Sequence, residues 1–349
     1  MGVSLPACKQ IFVKKGLSIV ICTYNGVSRL GLVLDYINKL HIPDSLNWEV
    51  IIVDNASTDG TSIWLEDNIG MQKWNFSLQL VSEPRQGLNI ARLTGALKSE
   101  YDWLLFCDDD NLLASDYVTC WFNEIQKHMN IGCVGGRGIP FTDITFPDWF
   151  NDYGHSYAIG SQYSKSSIVP YGCALYGAGL YVYKLPIIEL VNKGFDLVMS
   201  DRNSGNLTSG GDLEWCYLIQ LSGYKMLYRD DMTFKHQIGA SRLQWSYYLR
   251  LKEGIASGTG VLESYHFIFS KGYRNAALFL FYYIINAFNL FFTYLCVMIK
   301  SLIIPGRLKK QNVQLARIIL RTKCISYFSH LRQAYCHYIK LNQYFSAKV

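Results

Sequence analysis

The chain has 349 residues, 50% of them hydrophobic and 17% charged, with 25 tyrosines and a formal net charge of +6. That length suits one large α/β domain with additions. Its ten cysteines include no C-x-x-C pair, which excludes a zinc ribbon or a disulfide framework and fits reduced, buried thiols in a cytosolic setting.

Before the first strand there is no apolar signal segment, only Lys9 and Lys14-Lys15. Met1-Gly2 is followed by Pro6 where an acyl-anchor signal needs Ser or Thr. Leu17 to Cys22 reads as a buried strand, and residues 28–40 carry a helical apolar stripe of Leu30, Val33, Leu34, Ile37 and Leu40. A second strand runs from Trp48 to Val53 into Asp54-Asn55. It is followed by a short helix over 61–69, a strand from Phe76 to Val81, a helix over 88–98 and a strand from Tyr101 to Phe106. Repeated β-α units with apolar strands imply a mostly parallel sheet covered by helices on both faces. Ligands of such sheets sit beyond the carboxyl ends of the strands. Polar residues follow three of those strands: Thr23-Tyr24-Asn25, Asp54-Asn55 and Asp108-Asp109-Asp110.

The aspartate triplet is the strongest chemical signal. Like charges packed so closely repel, and a fold gains little from placing them at the end of a buried strand unless a cation or a set of donors neutralises them. Hard oxygen ligands on a short turn suit Mg²⁺ or Mn²⁺, held through one or two carboxylates plus substrate phosphates. A solvated turn or helix N-terminus is the alternative.

The second half is less regular. Residues 132–160 read as loops with short strands, 171–185 as a strand pair, 196–211 as a polar, Gly-rich loop, and 212–222 as a helix opening on Asp212. Lys225 to Arg229 reads as a strand that precedes His236.

In order, Ser18 to Asn25, Ile52 to Thr61, Gly87 to Arg92, the triplet, Gly177-Ala178, Gly194 to Asp196 and Gly210 to Glu214 resemble a family 2 glycosyltransferase of GT-A fold. The resemblance covers about residues 17–260. It implies metal-assisted transfer of a sugar from a nucleotide-diphosphate donor to an acceptor hydroxyl, inverting by family analogy, on a mostly parallel α/β sheet flanked by helices. By resemblance, Asp110 is a metal ligand, Asp108 touches ribose or metal, and Asp109 belongs to the same donor-binding turn. Asp54 accepts from the base, Thr23, Tyr24 and Asn25 line the nucleotide pocket, and Arg92 contacts nucleotide. Asp212 is the general base that takes the acceptor proton. Glu214 orients it or binds acceptor, and His236 is a third metal or diphosphate contact. Gly211 stands where relatives often carry Glu, so half of an acidic pair is absent. Trp149 is expected either to stack on a sugar face or to be buried.

From residue 264 onward there is no Asp or Glu and there are twelve Lys or Arg, leaving 21 basic and 27 acidic residues before it, a net of −6. Basic tails bind nucleic acid or anionic lipid. Residues 276–299 are uncharged and mainly apolar, roughly 36 Å as a helix and enough to cross a bilayer. Positive charge flanks both sides (Lys271 and Arg274, then Lys300, Arg307, Lys309 and Lys310), which favours an in-plane or re-entrant arrangement over one crossing. Val313 to Tyr344 reads as an aromatic, basic helix.

The organisation expected is a catalytic domain over 1–262, with a nucleotide-sugar half at 17–130 and an acceptor half at 131–262, and a membrane-associated helical tail over 263–349. The tail is expected to attach at the cytoplasmic face, integral or monotopic through 276–304, with a glycan or lipid-linked acceptor and no nucleic acid. Two alternatives compete. A sugar nucleotidyltransferase would want a Gly-rich, basic phosphate loop where Thr23-Tyr24-Asn25-Gly26 stands. A non-catalytic assembly protein finds support only in Gly211.

Overall fold

The computed structural model describes residues 14–71, 74, 76–202, 205, 207–303 and 310–346. Lys9, Pro6, Ile304, Pro305, Arg307 and Lys309 lie outside the described residues. The first half alternates β1 (Lys14–Thr23), α1 (Val27–Ile37), β2 (Trp48–Asp54), α2 (Thr61–Gly70), β3 (Leu78–Ser82), α3 (Leu88–Lys98) and β4 (Tyr101–Asp108). Then come β5 (Asn111–Leu113), α4 (Tyr117–Lys127), β6 (Ile131–Phe141), α5 (Phe150–Tyr153), β7 (Ser167–Ile168), β8 (Leu180–Tyr183), α6 (Leu185–Asn192), α7 (Gly211–Leu221) and β9 (Lys225–Gln237). Four helices close the chain: α8 (Trp245–Ser257), α9 (Thr259–Lys271), α10 (Ala276–Ile303) and α11 (Lys310–Phe345).

The strands form one sheet in the order β3-β2-β1-β4-β8-β6-β9-β5, with β7 paired to β9. β3, β2, β1 and β4 are mutually parallel, and β8 runs antiparallel between β4 and β6. Parallel strands buried on both faces explain the unbroken apolar runs. Along β4, Leu104 and Phe106 face the core under α3 and α7, while Trp103, Leu105 and Cys107 face the core under α1 and α4. By that alternation Asp108 continues the α3 face. The register pairs Thr23 with Asp54 and Cys22 with Asp108, so three strands end level at one rim.

Two expectations over the second half need correction. Residues 131–141 are a single long strand, because its glycines admit neighbouring backbone. A Cβ at Gly136 or Gly138 would fall on the carbonyl oxygen of Met232 or Ala158. Residues 171–185 hold one strand, β8, since 171–179 supplies turns. β9 also continues past Arg229 to Gln237, which places His236 in the sheet opposite Asn111.

The tail helices are part of the main core. Phe279, Tyr283 and Ala287 of α10 and Tyr327, Ala334, Tyr338, Leu341 and Phe345 of α11 are buried in the same cluster as Val20, Phe106 and Trp215. A boundary at 262/263 falls inside α9. α10 keeps its other face open: Phe281, Phe288, Phe292 and Ile299 are 53–63% exposed. Among the described residues, one helix segment, Ala276–Ser301, is long and apolar enough to cross a membrane. Among the described cysteines none is in a disulfide, and Cys22, Cys107, Cys133, Cys216 and Cys324 are buried, whereas Cys173, Cys296 and Cys336 are exposed.

Candidate active site

A cavity of about 840 Å³ opens at the carboxyl rim of β1, β2 and β4. All three aspartates of the triplet line it: Asp108 ends β4, and Asp109 and Asp110 form the two-residue turn to β5. Asn111 clamps that turn: its Oδ1 accepts the Asp108 amide at 3.2 Å, and its Nδ2 donates to Asp110 Oδ1 at 3.1 Å.

Each aspartate has its own arginine. Arg92 of α3, 4% exposed, donates to Asp108 Oδ1 at 3.1 Å and sits 5.2 Å over the Phe106 ring. Arg29 in the first turn of α1 forks onto Asp109 at 3.2 and 2.8 Å, and the Thr23 hydroxyl donates to the same carboxylate at 2.6 Å. Arg242, just after β9, donates to Asp110 Oδ2 at 2.6 Å, with His236 Nε2 at 3.3 Å from that oxygen. At Asp109 and Asp110 burial favours the neutral acid, and the outcome depends on partners. At Asp109 burial prevails over Arg29 and raises the pKa. At Asp110 burial is outweighed by His236 and Arg242, so the carboxyl is held well below its ordinary range.

Asp212, near the start of α7, also lines the cavity and lies within the field of Arg92. Its Oδ2 accepts the Gly177 amide at 3.0 Å and its Oδ1 accepts that of Leu213 at 3.0 Å. Asp201, from the loop before α7, lines the same wall at 3% exposure, and its Oδ1 accepts the Gly211 amide at 2.7 Å. Burial and the nearby Asp212 charge push the Asp201 carboxyl up to about 7, against Arg92.

Other expected residues take different places. Tyr24 lines the cavity, whereas Asn25 does not. Asn25 adopts a left-handed backbone (φ 53°) and accepts the Thr58 amide at 2.8 Å. Asp54 is set behind the lining, 4% exposed, accepting from the Ser57 amide at 3.0 Å and from the Ser62 hydroxyl. Its neighbour Asn55 reaches the cavity and ties three backbone groups of the 83–87 loop. Glu214 lies away from the cavity, fully buried, accepting from the amides of Val198 (2.8 Å) and Met199 (3.0 Å), from Tyr265 (3.2 Å) and from Asn89 (3.3 Å). Burial pushes it up to about 7 against those donors. It anchors the stretch that leads into Asp201. Trp149 packs against Trp245 and Tyr248 at centroid distances of 5.4 and 5.3 Å, outside the lining.

Sequence reasoning missed Arg29, Arg202, Arg242 and Asp201, all of which line the cavity. Arg29 carried a signal: a cation in the first turn of a helix opposes the macrodipole, so it needs a carboxylate nearby. Arg242 lies 132 residues from its partner in a short 3₁₀ turn and carried none.

Among the described residues no three His, Cys, Asp or Glu side chains converge on one point. Asp110 and His236 nevertheless bring an oxygen and a nitrogen within 3.3 Å, facing open cavity, and Asp108 is on the same turn. That donor set fits Mg²⁺ or Mn²⁺ completed by phosphate oxygens.

Residues 18–181 match the model of Glycosyl transferase family 2. A glycosyltransferase of Haemophilus influenzae is 29% identical over 119 residues, 34% of this chain and 37% of that protein. Glycosyltransferase AglE of Haloferax volcanii is 23% identical over 224 residues, 63% of this chain and 66% of that protein. The chain therefore matches less than two thirds of either relative's length. The solved structure of mannosyltransferase PcManGT from Pyrobaculum calidifontis, in complex with GDP-Man and Mn²⁺, overlays with a TM-score of 0.53 at 15% identity, covering 95% of this chain and 89% of that one. At that identity the likeness is one of fold. A parallel-strand rim carrying the aspartate turn and the shared architecture give this chain a GT-A fold, and its residues 18–181 are similar to glycosyl transferase family 2.

Proposed function

We propose that the protein transfers a sugar from a nucleotide-diphosphate donor to a hydroxyl of a glycan or lipid-linked acceptor, with inversion. One observation carries this reading: the aspartate turn, its arginines and Asp212 all line a single cavity. As the glycosidic bond breaks, its electron pair leaves with the diphosphate, and Arg29, Arg92 and Arg242 can turn from carboxylate to phosphate as that charge grows. Asp212 takes the acceptor proton while the acceptor oxygen attacks the opposite face of the anomeric carbon. Asp108, Asp110 and His236 would hold a divalent cation, which when bound supplies a compact positive charge to the diphosphate. The Mn²⁺ and GDP-Man of the fold neighbour support that choice. Thr23, Tyr24 and Asn55 line the donor end, and Asp54 and Asn25 shape it from behind.

The location proposed is the cytoplasmic face of the membrane. The exposed apolar stripe of α10 would lie in the plane of an anionic leaflet, with Lys271, Arg274, Lys300 and the basic residues of α11 at headgroup level.

Titration calorimetry with UDP and GDP, with and without Mn²⁺, tests the donor site. Metal-enhanced binding by one nucleotide, lost in Asp110→Ala, is expected. Binding indifferent to both the metal and Asp110 rejects the cation's role. Asp212→Asn is expected to abolish transfer, and transfer at the wild-type rate removes Asp212 from the mechanism. For location, flotation with phosphatidylglycerol vesicles that resists high salt is expected, and release by salt alone would reject apolar insertion.

A further inference from the structure

α7 opens with Gly210-Gly211-Asp212, and the backbone at Gly211 lies outside the left-handed region. Conformational freedom therefore does not explain that glycine. Its surroundings do: a Cβ there would fall on the Asp201 carboxylate and within 2.7 Å of the Asn89 side chain. Gly211 vacates the volume that Asp201 fills.

Asp201 is poorly explained by the needs of folding. It is 3% exposed, holds a left-handed backbone (φ 58°), and lies within the field of Asp212. Asparagine would keep the bond to the Gly211 amide, tolerate that backbone better, and remove the repulsion. A buried carboxylate beside another, on the wall of the cavity and within the field of Arg92, is what a site needs when two hydroxyls must be held at once. Asp212 serves one of them.

Resting on the transferase reading above, we propose that Asp201 binds the acceptor. It accepts a hydrogen bond from the hydroxyl adjacent to the one that Asp212 deprotonates, so the acceptor end presents two neighbouring hydroxyls, as a sugar ring does. The carboxylate absent from position 211 is thus delivered by the preceding loop, and Gly211 admits it.

The test uses the full chain with Mn²⁺ and three donors, UDP-glucose, UDP-N-acetylglucosamine and GDP-mannose. Acceptors are octyl glycosides with vicinal hydroxyls and their monodeoxy analogues. Wild type is expected to prefer the intact acceptor by about tenfold or more in kcat/KM, as for a hydrogen bond to a charged group. Asp201→Asn is expected to lose that preference mainly through a higher acceptor KM, with UDP or GDP affinity retained. Asp201→Ala combined with Gly211→Asp moves the carboxylate onto α7 and is expected to recover the preference. Undiminished preference in Asp201→Asn overturns the proposal, and so does a double variant that folds and binds nucleotide yet gains nothing over Asp201→Ala. Wild type that turns over no donor and binds no nucleotide rejects the transferase reading itself, a result separable from either.

Discussion

Replacing Asp201 by Asn is expected to stabilise the protein in a pH-dependent way. The groups facing this carboxyl are Asp212 and Glu214 on α7, Arg92 on α3 and Arg202 on its own loop. Burial and Asp212 raise its pKa from an ordinary 3.8 to about 7, and Arg92, the Gly211 amide and Arg202 offset only part of this. An acid whose folded value lies above its unfolded one binds its proton more tightly when folded. Its contribution is therefore fully present below about pH 4 and is lost as pH rises through about 7. The shift sets an upper bound of about 4 kcal/mol above neutrality. Asparagine escapes that cost, keeps an acceptor for the Gly211 amide and suits the left-handed backbone. Urea unfolding followed by tryptophan fluorescence should show Asp201→Asn more stable than wild type by about 1–3 kcal/mol near pH 8, with the gap narrowing as pH falls below about 7 and closing near pH 4. A variant that is no more stable at the higher pH, or a gap that ignores pH, would refute the reasoning.

Arg242→Met leaves buried Asp110 with only His236 and Asn111 in contact and should cost about 3 kcal/mol, read as a lower melting temperature. Added Mn²⁺ should recover part of that loss, and no recovery would count against a cation at Asp110. Lys184, 3% exposed, donates to the Ser99 carbonyl at 2.5 Å and its hydroxyl at 2.7 Å, closing the carboxyl end of α3. Lys184→Met should lower the urea midpoint by an amount equivalent to about 2 kcal/mol, and an unchanged midpoint would deny it that role. Phe288→Ser with Phe292→Ser changes side chains that are 55% and 63% exposed, so flotation with anionic vesicles should fall while the melting temperature holds.

The β-α first half could be read from the sequence because its strands are buried on both faces and its helices on one. Apolar runs and 3.6-residue periodicity then state the same fold. The aspartate triplet was readable for the converse reason, since it is costly where it stands. β6 was obscured because Gly132, Gly135, Gly136 and Gly138 resemble a loop, although they answer to crowding by other strands and loops. β9 was cut short because Arg229-Asp230-Asp231 resembles a turn. In the fold those charges are paired, Arg229 with Asp231 and Glu124, and Arg137 with Asp230. Glu214 read as a site residue because spacing alone does not say which face of a helix turns inward. The arginine partners of Asp109 and Asp110 come from 80 and 132 residues away, and no local pattern records such distances.

The shared core of α10, α11 and the sheet has a mechanical consequence. With the location and function proposed above, anchoring and chemistry would share one packed core, so whatever surface receives Phe281, Phe288 and Phe292 would also fix the height and tilt of the cleft mouth. Reach toward a substrate is then set by geometry and not by a tether's length. Deleting the last two helices would strip Tyr265 and Phe267 of their aromatic cover, and such a shortened chain should aggregate instead of becoming an unanchored enzyme.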